Sequence, residues 1–265
     1  MSKFATLALA MLLAPLAVSA EEAAATASAA AGEEAKALDW ADWKAGNDVR
    51  DAASLQRGAR NFMNYCSGCH SLKYLRYSRL GEDLHISDAQ LKDYLVVGNA
   101  KTTDYITSSL ATADGENWFG KAPPDLSLIA RSRGTDYLYR FLKTFYVDAS
   151  RPTGTNNLAL ASAAMPAVLS ELEGVKSAVY RNVEVTSGGK TTTEKELVGF
   201  ETIAPGAMTP AEFDGFVRDT VNFLDYAGEP AQVARRSIGV WVVLFLLVFT
   251  WLAWLLKKEY WKDVH

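Results

Sequence analysis

Residues 66–70 read Cys66-Ser67-Gly68-Cys69-His70, and no other cysteine occurs in the 265 residues. Two thiols three positions apart, followed at once by an imidazole, form the C-x-x-C-H pattern of covalent haem c attachment. The thiols can reach the two vinyl groups of one haem, and the adjacent histidine then lies under the iron as its proximal ligand. A chain committed to this chemistry folds around a prosthetic group. Both cysteines are used, so one attachment site exists and no disulfide framework remains. A redox dithiol would need no following histidine. A four-ligand zinc site would have to recruit two more ligands, and the remaining histidines are His85 and His265.

The N-terminus indicates the compartment. Lys3 precedes an apolar run over residues 4–17, and Val18-Ser19-Ala20 offers a small-residue cleavage site before Glu21. That is the pattern of a cleaved secretory signal peptide, residues 1–20. Export suits the motif, because haem c is attached outside the bacterial cytoplasm. A second apolar segment, Ser237 to Leu256, contains no charged residue and is flanked by Arg235-Arg236 and Lys257-Lys258. Twenty helical residues rise about 30 Å, the thickness of the hydrocarbon core. Trp251, Trp254, Tyr260 and Trp261 supply interfacial aromatics. We therefore expect a transmembrane anchor over 235–258. The flanking positive charges are nearly balanced, so the signal peptide decides orientation: haem domain in the periplasm, residues 259–265 in the cytoplasm, single-pass in a bacterial inner membrane.

Between the two segments, residues 21–234 carry 21 basic and 29 acidic side chains, against an overall net charge of −4. An acidic exported surface argues against nucleic acid as a partner. It fits either a basic protein partner or simple solubility.

Residues 21–37 are rich in alanine, glutamate and serine and lack large apolar residues, which predicts a flexible leader. The domain proper is expected over 38–234. Helical spacing of Leu55, Gly58, Ala59, Phe62 and Tyr65 predicts a helix over Ser54–Tyr65 that delivers Cys66. A capping box at Ser87 predicts a second helix ending before Gly98. An amphipathic pattern predicts a third over Thr135–Val147. Thr209-Pro210-Ala211-Glu212 predicts the start of a fourth that ends at Gly228. Residues 176–200 alternate and turn at Ser187–Lys190, which predicts a small β-hairpin insertion. The expected fold is mainly α: a c-type cytochrome domain with long loops, plus one C-terminal transmembrane helix.

The sixth iron ligand separates electron transfer from substrate chemistry. Met63 lies on the incoming helix, three residues before Cys66, and cannot cross to the far haem face. Met165 follows a small-residue run, Ala161 to Ala164, and precedes Pro166, which stiffens the loop. Met208 lies just before the last helix cap. These patterns favour Met165 and leave Met208 open, with His85 the weaker candidate. Lys121 to Ser127 is a proline-stiffened loop followed by Arg131 and Arg133, either of which could pair with a haem propionate or sit in a solvated basic turn.

Asn64-Tyr65-Cys66-Ser67-Gly68-Cys69-His70-Ser71-Leu72, then Ala122-Pro123-Pro124-Asp125-Leu126-Ser127, then Ala164-Met165-Pro166, then a helix from Phe213 to Pro230 leading into one span, together resemble cytochrome c1. That family is the haem subunit of the ubiquinol–cytochrome c reductase complex. The resemblance covers roughly residues 38–265. It implies one covalent haem c, thioethers at Cys66 and Cys69, and axial ligands His70 and Met165. It also implies Pro124 packed on the haem, Arg133 paired with a propionate, Tyr137 nearby, and Met208 outside the ligand set. Its implied partners are a cytochrome b subunit, a Rieske iron–sulfur protein as donor, a cytochrome c as acceptor, and the bilayer. The isolated chain would catalyse no reaction. Residues 176–200 are similar to an insertion of proteobacterial members, while the extra cysteine pair that braces the methionine loop in some bacterial members is absent. The rival reading is a membrane-anchored haem enzyme or sensor with an open sixth site.

Overall fold

The computed structural model describes residues 37–187 and 190–264. The signal peptide read at 1–20 lies outside the described residues, as does all but the last residue of the leader.

In chain order the elements are α1 (Ala52–Tyr65), β1 (Leu72–Arg76), α2 (Tyr77–Leu84), α3 (Asp88–Tyr94) and β2 (Tyr105–Ile106). Next come α4 (Thr112–Phe119), α5 (Ile129–Arg133), α6 (Thr135–Lys143), β3 (Phe145–Val147) and β4 (Thr155–Asn157). The chain ends with α7 (Ser170–Glu173), β5 (Gly174–Ser187), β6 (Lys190–Pro205), α8 (Pro210–Gly228) and α9 (Gln232–Tyr260). Among the described residues the strands form three two-stranded antiparallel sheets, β1–β2, β3–β4 and β5–β6. The fold is mainly α, as expected.

The core is the contact between α1 and α8. Asp51 caps α1 by accepting from the Ser54 amide at 3.0 Å. Leu55, Ala59 and Phe62 on α1 are buried with Val217, Val221, Phe223 and Leu224 on α8. Burying each such Leu or Phe contributes about 1.5–3 kcal/mol. The rings of Phe62 and Phe223 lie 5.7 Å apart, and Tyr65 meets Phe216 edge-on at 5.4 Å. Gly58 permits the close approach: a Cβ there would fall 2.1 Å from the Asp219 carbonyl oxygen. The polar groups in this seam are matched. Ser54 Oγ donates to Asp219 Oδ1 at 2.7 Å, and Asn61 Nδ2 donates to the Phe216 carbonyl at 3.2 Å. α8 starts on the expected capping box, in which Glu212 Oε2 accepts the Thr209 amide at 2.9 Å. This packing fixes the end of α1 and with it Cys66.

Two expectations need correction and one stands. The helix expected over Thr135–Val147 stops at Lys143. The β-branched and aromatic run from Thr144 to Val147 leaves it, and Phe145 to Val147 pair with Asn157 to Thr155. The helix begun at Ser87 has its capping box and ends at Tyr94, before Gly98 as expected. The hairpin is longer than 176–200. It pairs from Gly174↔Pro205 to Ser187↔Lys190 and starts where Gly174, at φ +99, turns the chain out of α7.

α9 spans 29 residues, about 44 Å at helical rise, and is long and apolar enough to cross a membrane. Its side chains from Ser237 to Leu256 are exposed all round.

Candidate haem-attachment site

α1 ends into a tight turn folded around one carbonyl. The amides of Cys69 and His70 both donate to the Cys66 carbonyl, at 3.1 and 2.8 Å. Ser67 Oγ donates back to the Met63 carbonyl at 2.7 Å, which ties the turn to the helix. Both thiols are free, Cys66 half-buried and Cys69 exposed. Burial pushes the Cys66 thiol up to about 12.

His70 is fixed by a backbone group from 54 residues away. Its Nδ1 lies 2.8 Å from the Pro124 carbonyl oxygen. A carbonyl only accepts, so the hydrogen sits on Nδ1 and Nε2 presents its lone pair. Burial lowers the His70 pKa, against the opposing pull of the Pro124 carbonyl and Asp125, which favours the neutral ring. A neutral imidazole with Nδ1–H held and Nε2 open is what a metal-ligating histidine requires.

The loop that carries Pro124 is laced to the segment after His70. The Leu126 amide donates to the Ser71 carbonyl at 2.9 Å. Asp125 Oδ2 accepts the Lys73 amide at 2.9 Å, and Asp125 Oδ1 accepts the Ser127 amide at 2.9 Å. Ser127 Oγ, fully buried, accepts the Tyr74 amide at 3.2 Å. On the other side Ser108 Oγ donates to the Gly68 carbonyl at 2.7 Å. Asp125, Ser127 and Ser108 thus hold the turn and the imidazole. Sequence reasoning missed all three. The Asp-x-Ser spacing after two prolines carried a usable signal for the first two, because Asp125 closes an Asx turn.

The other candidates fall in two groups. The Arg133 guanidinium lies 5.6 Å from the centre of the Tyr137 ring, and Tyr137 stacks on Phe141 at 6.2 Å. Arg131 turns instead to Glu229, at 3.8 Å. Met165 is half-buried in a cleft of about 230 Å³, lined by Leu142, Phe145, Thr155, Pro166 and Leu169. The walls of that cleft include neither Cys66 nor His70. Phe141 meets Phe145 edge-on at 5.1 Å, so one run of rings along α6 and β3 joins the Arg133 end to the Met165 cleft. Met63 is buried in the core and Met208 packs against it, its amide donating to the Leu172 carbonyl at 3.0 Å. His85 is the left-handed C-cap of α2, at φ +55.

Among the described residues no three His, Cys, Asp or Glu side chains converge as a metal cluster. The donors present are two thiols on one turn and an oriented imidazole, and they suit a macrocycle attached by its edge. The model of the Cytochrome C1 family matches residues 43–264. The chain belongs to the cytochrome c1 family. It is 49% identical over 218 residues to cytochrome c1 of Allochromatium vinosum, covering 82% of this chain and 87% of that protein. It is 41% identical over 222 residues to the ammonia monooxygenase gamma subunit of Nitrosomonas europaea, covering 84% and 88%. It is 27% identical over 250 residues to cytochrome b/c1 of Bradyrhizobium diazoefficiens, covering 81% of this chain and 34% of that protein. Cytochrome c1 is an electron-transfer subunit, and the mainly α domain followed by one long apolar helix agrees with that family.

Proposed function

We propose that this chain is the haem c electron carrier of a quinol–cytochrome c reductase. It would take single electrons from a Rieske iron–sulfur protein and pass them to a cytochrome c, beside a cytochrome b subunit. Cys66 and Cys69 would hold one haem c through thioethers, with His70 and Met165 as axial ligands. Arg133 would pair with a propionate, Tyr137 would lie beside it, and Pro124 would pack on the ring. Residues 1–20 would be removed on export, 21–37 would form a leader, and 38–234 would sit in the periplasm. The anchor, 235–258, would leave residues 259–265 in the cytoplasm of a bacterial inner membrane.

The observation that carries this reading is the His70 Nδ1 to Pro124 carbonyl contact at 2.8 Å, on a turn that presents both thiols. Haem c bound there supplies a one-electron iron couple. The chain's own groups do the rest. The Pro124 carbonyl holds His70 by Nδ1, which would leave Nε2 free to bind the iron, and a held ligand reorganises little when the charge changes. Met165 offers a thioether, which raises the potential of a haem iron. The relative named cytochrome b/c1 supports a cytochrome b neighbour.

A redox titration of the purified protein, followed by its reduced-minus-oxidised spectrum, tests the assignment. We expect a single low-spin c-type haem of high potential that does not bind carbon monoxide. A high-spin haem that binds carbon monoxide readily would overturn it in favour of the open-site reading. The acidic body adds a second expectation. The rate of reducing a basic cytochrome c should fall steadily with salt, as the Debye length shrinks from about 30 Å at 0.01 M to about 8 Å at 0.15 M. Stopped-flow rates that stay flat over that range would remove electrostatic steering.

A further inference from the structure

We infer that Asn156 and Asn157 are positioning residues for Met165: their buried amides fold and hold the loop that presents its sulfur, in a chain whose two cysteines both lie in the haem-attachment turn. The inference rests on the proposed ligation by Met165.

Both asparagines end β4, and both are buried, at 6% and 1% exposure. Asparagine is depleted from strands, and a buried amide is costly unless each of its polar atoms is matched. Here the partners fix which way each amide points. Asn157 Oδ1 accepts the amides of Ala159 and Leu160, at 2.9 and 3.0 Å. Its Nδ2 donates to the Phe141 carbonyl at 2.7 Å. Asn156 Oδ1 accepts the Ser162 amide at 2.9 Å, and its Nδ2 donates to Asp148 Oδ2 at 2.9 Å. Backbone N–H groups demand an oxygen, and a carbonyl or carboxylate demands an N–H, so neither amide can be turned over. Only an amide side chain supplies donor and acceptor together at this length.

These contacts act on the methionine loop at both ends. Asn157 ties its first residues to the last turn of α6, and the Leu158 amide adds a bond to the Thr144 carbonyl at 3.2 Å. Asn156 grips Ser162, which sits at φ +63, a conformation that a residue with a side chain adopts only when its surroundings hold it there. Met165 follows three residues later, and Pro166 fixes the backbone beyond it. The helix turn that receives Asn157 at Phe141 also contributes Leu142 to the wall of the Met165 cleft. The amides therefore lock the loop to the same α6 turn that helps wall the methionine's cleft. Removing that lock would let Ser162 relax and the sulfur drift from the iron, while haem attachment through Cys66 and Cys69 would be untouched.

The test uses full-length, haem-loaded protein in detergent. Asn157→Leu keeps the branched four-atom shape and removes both polar atoms. Asn222→Leu is the control: that side chain is equally buried but bonds Asp48 and Ser54 at the α1–α8 seam. Met165→Leu is the reference. The readouts are the sulfur-to-ferric-iron charge-transfer band, the midpoint potential and the unfolding temperature. We expect Asn157→Leu to lose the band and to fall towards the potential of Met165→Leu at unchanged haem content. We expect Asn222→Leu to unfold earlier yet keep band and potential. An Asn157→Leu protein that is destabilised like the control but retains both signals overturns the inference. If Asn157→Leu does not accumulate, Asn156→Ala, which frees Ser162, reads the same signals, and their persistence overturns it equally. A Met165→Leu protein with band and potential intact would instead bring down the ligation itself, and the inference with it.

Discussion

Replacing Met165 with leucine should leave the haem covalently attached and lower its midpoint potential by a few tenths of a volt, a substantial part of the roughly 0.8 V that axial ligands span. The two side chains are close in volume, and Leu142, Phe145 and Leu169 give the cleft apolar walls. Swaps of this kind usually cost less than about 1.5 kcal/mol, so the unfolding temperature should hardly move. Stability and potential therefore separate, and only ligation predicts that separation. A thioether favours the reduced iron, so its loss raises the energy of the electron on this subunit. At 59 mV per tenfold for one electron, a fall of about 0.2 V shifts the equilibrium with a fixed donor by roughly three orders of magnitude. Quinol-dependent reduction of cytochrome c should collapse accordingly. Met208→Leu is the matching control, because Met208 packs on the core beside Leu172 and should leave the potential where it was. A titration in which Met165→Leu keeps the parent potential would move the sixth ligand elsewhere.

What was legible in the sequence was whatever local spacing encodes. The capping boxes at Ser87 and Thr209 stand where the residues put them, and so does the helix that ends at Cys66. The apolar run from Ser237 to Leu256 lies within one continuous helix. Legibility failed where a tertiary partner decides the outcome. The apolar pattern from Tyr137 to Phe145 is helical in spacing, yet strand pairing with Asn157 takes Phe145 out of the helix. The partner of His70 is a carbonyl 54 residues away, and a carbonyl has no letter of its own in the sequence. Pro124 was singled out for its ring, whereas its oxygen is the group that meets the imidazole. Asp125 and Ser127 read as part of a stiff turn, because the strand amides they accept, Lys73 and Tyr74, carry no side-chain signal. Asn156 and Asn157 resemble ordinary loop residues until burial makes each of their polar atoms count.

Ending the chain at Ala234 should convert a membrane-bound protein into a soluble one without lowering the unfolding temperature of the haem domain. The apolar stretch of α9 carries thirteen Leu, Ile, Val and Phe residues between Ser237 and Leu256. At about 0.3–0.6 kcal/mol each, their insertion is favourable by roughly 4–8 kcal/mol before the tryptophans at its end are counted. None of that burial belongs to the protein core, because those side chains are exposed on every face of the helix. The truncation keeps Gln232, which is buried, and gives up the exposed contact between Arg235 and Glu229. Exposed pairs of this kind add little to stability. The core seam of α1 and α8 ends at Gly228, four residues before α9 begins, so the cut falls beyond it. Fractionation of membranes and a thermal melt of the released protein read the two halves of the expectation independently. A melt lowered by several degrees would mean that α9 contributes to the domain it leaves. Retention on the membrane would mean that another surface binds the bilayer or an embedded partner. A soluble protein with an unchanged melt separates the two roles: α1 and α8 fold the domain, and α9 supplies only its membrane attachment.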